Sequence, residues 1–214
     1  MADTGKKPEL QGHTQAERAR ALLAKRGMLR LRELAEAGIA EETMARLVRH
    51  GEVSRLSRGL YQLADTEVDA AHSLVEASKL VPKGIICLIS ALQYHGLTTQ
   101  LSSQVWMAIQ QNAWKPSISY PPIKSVRFGE QALTKGVEIH QIEGVDVRIY
   151  NVAKTVVDCF RYRNKIGMDI ALEALRESLH KRRCTANELW KMAQELHVLN
   201  VMKPYLESMT YNAA

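Results

Sequence analysis

The sequence predicts an α+β fold: three helices and a β-hairpin first, then a mixed α/β domain that ends in a helical bundle. Three observations carry this expectation. Apolar residues recur at helical spacing between capping signals from Thr14 to His50. Two short apolar runs, Val53 to Leu56 and Leu60 to Leu63, flank the triplet Ser57, Arg58, Gly59. Beyond them, strand-like runs and capped helical segments alternate to the end of the chain.

Residues 1–13 are polar, with two Gly and a Pro, and are expected to be a lead-in without fixed structure. Ala16, Ala19, Leu22 and Leu23 form the apolar stripe of a first helix from Thr14, its N-cap, to Arg26, with Gly27 just past its end. A short second helix spans Arg32 to Ala37, and Gly38 supplies the left-handed residue that a tight turn into another helix needs. The third helix, Glu41 to His50, is acidic at its start and basic at its end, which complements the macrodipole. It turns Met44, Leu47 and Val48 inward. The two runs after Gly51 then read as a hairpin, and three helices followed by a hairpin make a winged helix-turn-helix, here over residues 14–64.

The second domain, 65–214, follows an acidic, alanine-containing stretch without a long linker. Its expected elements are a helix over Asp69–Val81, a buried strand at Ile85–Ile89, and a helix over Ser90–Gly96 capped by Ser90. Strands follow at Val105–Ile109, Ser125–Phe128, Val137–Ile142 and Val145–Tyr150, the last two joined by Glu143 and Gly144. Asn151 caps a helix at Val152–Arg163, helices at Met168–Lys181 and Ala186–Leu196 come next, and a last turn falls near Met202–Met209.

Charge adds a functional expectation. The chain of 214 residues carries 29 Lys and Arg against 23 Asp and Glu, and pI is near 9.3. Up to Leu63 there are 12 basic and 8 acidic residues, against 17 and 15 in the much longer remainder, so basic residues are densest at the N-terminal end. Such a balance favours polyanionic partners. In a helix-turn-helix the second helix of the pair enters the major groove, so the outer face of the third helix, Thr43, Arg46, Arg49 and His50, is the expected reader of double-stranded DNA. Arg46 is the first choice for a bidentate contact to guanine. Arg55 and Arg58 on the hairpin suit backbone or minor-groove contacts, and Arg30 and Arg32 suit phosphate. A solvated surface would explain each arginine singly. Between Thr43 and Leu63, however, four Arg stand against one acid, all four on the helix or hairpin offered to DNA.

A family resemblance rests on longer stretches. Leu34-Ala35-Glu36-Ala37-Gly38, Arg46-Leu47-Val48-Arg49-His50-Gly51-Glu52 and Arg55-Leu56-Ser57-Arg58-Gly59-Leu60-Tyr61 resemble the N-terminal domain of AbiEi-family antitoxins. Ser90-Ala91-Leu92-Gln93-Tyr94-His95-Gly96-Leu97 and Val152-Ala153-Lys154-Thr155-Val156-Val157-Asp158 are similar to patterns in that family's second domain. The resemblance implies a repressor that autoregulates its operon by binding an inverted-repeat operator, monomeric in solution with two copies on the DNA. It also implies a second domain that opposes a cognate nucleotidyltransferase-like toxin, with or without contact to it. A stand-alone regulator without a toxin, and a nucleic-acid-processing enzyme targeted by its winged helix, are the alternatives.

Other chemistry finds less support. The seven His and three Cys contain no CxxC pair and no ligand spacing for zinc, and no phosphate-binding glycine loop occurs, so neither metal nor cofactor is expected. Glu138, His140, Glu143 and Asp146 could supply a nuclease, but edge-strand charges account for them as well. His95 is expected to be a packed or capping histidine, and Asp158 a structural hydrogen-bonding residue. Arg176, Lys181, Arg182 and Arg183, with Arg161, Arg163 and Lys165 upstream, form a second basic region, either a solvated helix end or a surface for DNA or an acidic partner. Cys87, Cys159 and Cys184, odd in number and far apart, are expected to be free thiols. With no apolar run of membrane-spanning length and a polar start, a cytoplasmic protein without membrane contact is expected.

Overall fold

A computed structural model describes residues 14–66, 70–113, 115–116 and 118–211. The polar lead-in lies outside the described residues. The chain separates into two compact units, Met1–Val68 with Glu143–Val145, and Asp69–Ile142 with Asp146–Ala214.

In the first unit, α1 (Gln15–Arg26) opens on the expected Thr14 cap, with Glu17 completing a capping box. A two-residue strand, β1 (Leu29–Arg30), precedes α2 (Leu31–Glu36), so α2 starts one residue before the sequence places it. The third helix, α3 (Glu41–Arg49), and the strands β2 (Val53–Ser57) and β3 (Leu60–Leu63) complete the unit. The sheet runs β1-β3-β2, all antiparallel, with Arg55 opposite Tyr61 and a register shift between Arg55 and Ser57. Ala19, Leu23, Leu34, Ile39, Met44, Leu47, Val53 and Tyr61 form its core, each fully buried Leu, Ile or Met contributing about 1.5 to 3 kcal/mol.

One turn device is used repeatedly. After α2, Gly38 N–H donates to Ala35 and Ile39 N–H to Leu34, with Gly38 at φ 75°. This is a Schellman closure with its apolar contact made by Leu34 and Ile39, both in the core. The same pair of bonds ends α3, from Gly51 to Val48 and from Glu52 to Leu47.

In the second unit, α4 (His72–Leu80) is shorter than the expected helix, whose first residue, Asp69, lies outside the described residues. The apolar run at 85–89 is mostly not a strand. Only Ile85–Ile86 form a strand, β4; Cys87, still extended, then serves as N-cap and α5 (Leu88–His95) begins. Ser90 is therefore inside α5 instead of capping it, and its hydroxyl accepts from the Trp106 amide at 2.9 Å. An apolar run fits a buried strand and a buried helix equally, and pairing decides between them: Ile85 and Ile86 pair with β5 (Val105–Gln110) and β8 (Val145–Tyr150), and after one more bond, from the Cys87 amide to the Trp106 carbonyl at 3.0 Å, the chain turns into the helix. With β6 (Ile123–Phe128) and β7 (Val137–Ile142), the mixed sheet runs β6-β5-β4-β8-β7.

Two short helices, α6 (Glu130–Thr134) and α8 (Arg163–Ile166), accompany the central α7 (Val152–Arg161), which Asn151 caps as expected. Every residue from Val152 to Phe160 is buried, so α7 is covered on all sides by the sheet and by α5, α9 (Met168–His180), α10 (Ala186–Glu195) and α11 (Leu199–Tyr211). The expected final turn is instead the full helix α11, which continues through Pro204. Burial of Met202 and Leu206 against the core outweighs a proline penalty of roughly 3 kcal/mol.

Candidate nucleic-acid interface

Helix α3 has one face committed to the core. Met44 and Leu47 are buried and Val48 is half-buried, which leaves Arg46, Arg49 and His50 exposed on the far side and Thr43 half-exposed. Two Schellman closures, one before α3 and one after it, fix where the helix begins and ends. Its start is held from a distance as well: Ala40, the N-cap, has no capping side chain, and Gln15 of α1 accepts from the Ala40 amide at 3.0 Å and from the Thr43 hydroxyl at 3.0 Å. The sequence reading missed Gln15, because nothing local to α3 announces a partner 25 residues away.

Ion pairing separates the candidate arginines. Arg32 pairs with Glu36 at 3.4 Å, and Arg26 with Glu33 at 3.5 Å. The one acid between Thr43 and Leu63, Glu52, is taken by Arg20 of α1. Among the described residues no carboxylate pairs with Arg46, Arg49, Arg55 or Arg58, and all four are exposed. Arg58 stands at the hairpin tip between Ser57 and Gly59, and Arg55 sits on β2 beside the register shift. Arg30 is half-buried at the start of α2, where its backbone N–H donates to Glu33 at 2.7 Å. The face thus offers guanidinium donors from helix and wing with no competing intramolecular carboxylate.

In the second unit the singled-out residues occupy structural positions. His95 is buried at the end of α5, its Nε2 2.7 Å from the Tyr150 carbonyl, and burial holds its imidazole below the ordinary range. Since a carbonyl only accepts, Nε2 carries the proton. Lys154 and Asp158, one turn apart on α7, form a fully buried ion pair. The Lys154 ammonium lies 4.2 Å from the Tyr150 ring centroid and 4.7 Å from that of Phe128. Burial pulls the ammonium down and pushes the Asp158 carboxyl up to about 6. Glu138 and His140 face each other at 3.3 Å on the edge strand β7, and Asp146 accepts from Gln141. Arg176, Lys181, Arg182 and Arg183 are exposed at the end of α9 and beyond, although Lys181 donates to the Gly96 carbonyl at 2.7 Å and pairs with Glu177 at 3.1 Å. The three cysteines are free thiols, and among the described residues no group of His, Cys, Asp or Glu could hold a metal ion. No helix there is long and apolar enough to cross a membrane.

Comparison with known proteins places these features. The crystal structure of the RV2827C protein from Mycobacterium tuberculosis is similar at a TM-score of 0.56, over 84% of this chain and 71% of that one. At 13% identity the likeness is one of fold alone. No curated protein sequence matches the chain. Residues 17–64, which hold nearly all of the winged helix, match the family model described as transcriptional regulator, AbiEi antitoxin. The segment that presents the unpaired arginines is thus the one that is similar to the AbiEi antitoxin family of transcriptional regulators.

Proposed function

We propose that this protein is a transcriptional repressor and antitoxin. It binds an inverted repeat in its own promoter through α3 and the wing, two monomers to one operator, and its second domain opposes a nucleotidyltransferase-like toxin. The observation that carries the DNA-binding part is the set of four exposed arginines without carboxylate partners, on the helix and hairpin of a segment that matches a regulator family. The toxin, the inverted repeat and the autoregulation rest on the family's character. In this reading the protein has no catalytic activity and works in the cytoplasm. Domain limits of 14–64 and 65–214 assign DNA reading to the first part and antitoxicity to the second.

Titration of the full chain with a duplex from upstream of its own coding region, against a scrambled duplex, tests the reading at several salt concentrations. Tighter binding to the natural duplex is expected, falling with salt by about 0.9 log unit per log unit of salt for each phosphate neutralised. Equal affinity for both duplexes, or a flat salt response, would refute it. Incubation of the bound duplex with divalent metal should leave it intact; cleavage would replace the repressor reading with an enzyme.

A further inference from the structure

The contact between Gln15 and the start of α3 constrains more than the position of a helix. The Ala40 amide can only donate, so the Gln15 atom that faces it is the carbonyl oxygen. The Thr43 hydroxyl meets the same oxygen at 3.0 Å and must direct its single proton there. What the hydroxyl has left is lone pairs. Thr43 stands one turn before Arg46, next to the exposed Glu41 and Glu42. The outer face of α3 is therefore split: acceptors occupy its first turn, and the guanidinium donors of Arg46 and Arg49 occupy the rest.

Resting on the DNA-binding reading above, we propose that Gln15 is a positioning residue that makes Thr43 an acceptor-only reader of an exocyclic amino group in the major groove. On the contacted strand that means adenine N6 or cytosine N4, the two amino donors which bases present there. Without the Gln15 oxygen the hydroxyl rotates freely and can also donate to guanine O6 or thymine O4, so base preference goes while phosphate contacts stay.

The test begins with selection from a random duplex library by the full chain, repeated with Gln15→Met, Gln15→Glu, Thr43→Val and the Gln15→Met/Thr43→Val double variant. The enriched duplex is then rebuilt one base at a time with purine in place of adenine, or 2-pyrimidinone in place of cytosine, each lacking only the amino group. Removal of one amino group per half-site should weaken wild-type binding roughly three- to tenfold, as expected for one neutral hydrogen bond. The same replacement should have no effect on Thr43→Val, whereas Gln15→Met, whose freed hydroxyl accepts or donates, should bind duplexes with guanine or thymine at that position nearly as well as the amino-bearing base; the double variant should behave as Thr43→Val does. Gln15→Glu keeps the acceptor oxygen and should keep the preference, although its charge lowers affinity for every duplex. Thermal melting of each variant separates a loss of stability, which cannot pick out one base. Unchanged discrimination against guanine and thymine at that position in Gln15→Met would overturn the proposal, as would a Thr43-sensitive position that ignores amino removal. If no sequence is enriched and no duplex is bound, the DNA-binding reading fails first and takes this one with it.

Discussion

At the scale of single residues, Lys154 and Asp158 show how costly groups are kept inside a protein. Both are fully buried, and they pair along one turn of α7 through Asp158 Oδ2, while Asp158 Oδ1 has no hydrogen-bond partner among the described residues. Removing one partner leaves an uncompensated charge in the core, whereas removing both leaves an apolar hole of familiar shape. Gly136 makes this site tight, since a Cβ there would stand 2.6 Å from the Lys154 Cβ. Lys154→Ala should therefore cost about 3 to 5 kcal/mol in denaturant unfolding. Lys154→Met/Asp158→Leu should recover most of that loss; a double variant as unstable as the single one would show the ion pair to be a net stabiliser. His95 makes a prediction about pH. Burial lowers its folded value below the ordinary 6.5, so its contribution is fully present above pH 6.5 and is lost as pH falls through that value toward the folded one. Asp158 works in the opposite direction. Its carboxyl is raised from 3.8 to about 6 in the folded state, so acidification through that window adds stability. His95→Gln keeps a nitrogen donor for the Tyr150 carbonyl but does not titrate, and its stability, measured from pH 7 to 5, should fall less than that of wild type.

At the scale of elements, the proposed function gives α3 and the wing different kinds of contact. Arg46→Ala should reduce discrimination between natural and scrambled duplexes by about 1 to 3 kcal/mol, because a base-reading guanidinium is lost. Arg58→Ala should weaken both duplexes alike and lower the salt slope by about one, as befits a phosphate contact. Competition binding measures both, and equal losses on the two sequences from Arg46→Ala would remove it from the list of base readers. The helix itself depends on the turn before it. Gly38 sits at φ 75°, and a Cβ there would meet nothing closer than the Arg18 guanidinium at 3.9 Å. Space is not the obstacle, so Gly38→Ala should cost only the left-handed backbone penalty, about 1 to 2 kcal/mol in thermal or denaturant unfolding. Gly38→Asn should cost less, since asparagine tolerates that region.

At the scale of the whole molecule, the two units hold separate cores, one built on Leu23, Leu34 and Met44 and the other around α7. A fragment that begins at residue 69 should accordingly fold cooperatively and fail to bind the operator duplex. Under the proposed function it should still protect cells that express the cognate toxin. Full-length Arg46→Ala/Arg49→Ala supplies the comparison in the same growth assay. Rescue by this variant and not by the fragment would mean that antitoxicity needs the intact chain, and rescue by neither would tie it to repression.

The sequence by itself determined the elements whose signals are local. Thr14 and Asn151 cap the helices they precede, and Gly38 and Gly51 close α2 and α3, because a capping hydroxyl, an amide or a glycine acts within a few residues of its own position. The outward face of α3 was legible for the same reason: Met44 and Leu47 claim the core, and spacing then sends Arg46 and Arg49 the other way. Tertiary structure decided what depends on partners distant in the chain. Strand pairing ended β4 at Ile86 and gave the rest of the apolar run to α5; burial of Met202 and Leu206 carried α11 through Pro204. Ion pairing with Arg20 occupied Glu52, and among the described residues no carboxylate pairs with Arg46, Arg49, Arg55 or Arg58. Gln15 supplied the cap that Ala40 lacks, and that hydrogen bond fixes the proton of Thr43. Such contacts follow from the folded path of the chain, and no spacing in the sequence encodes them.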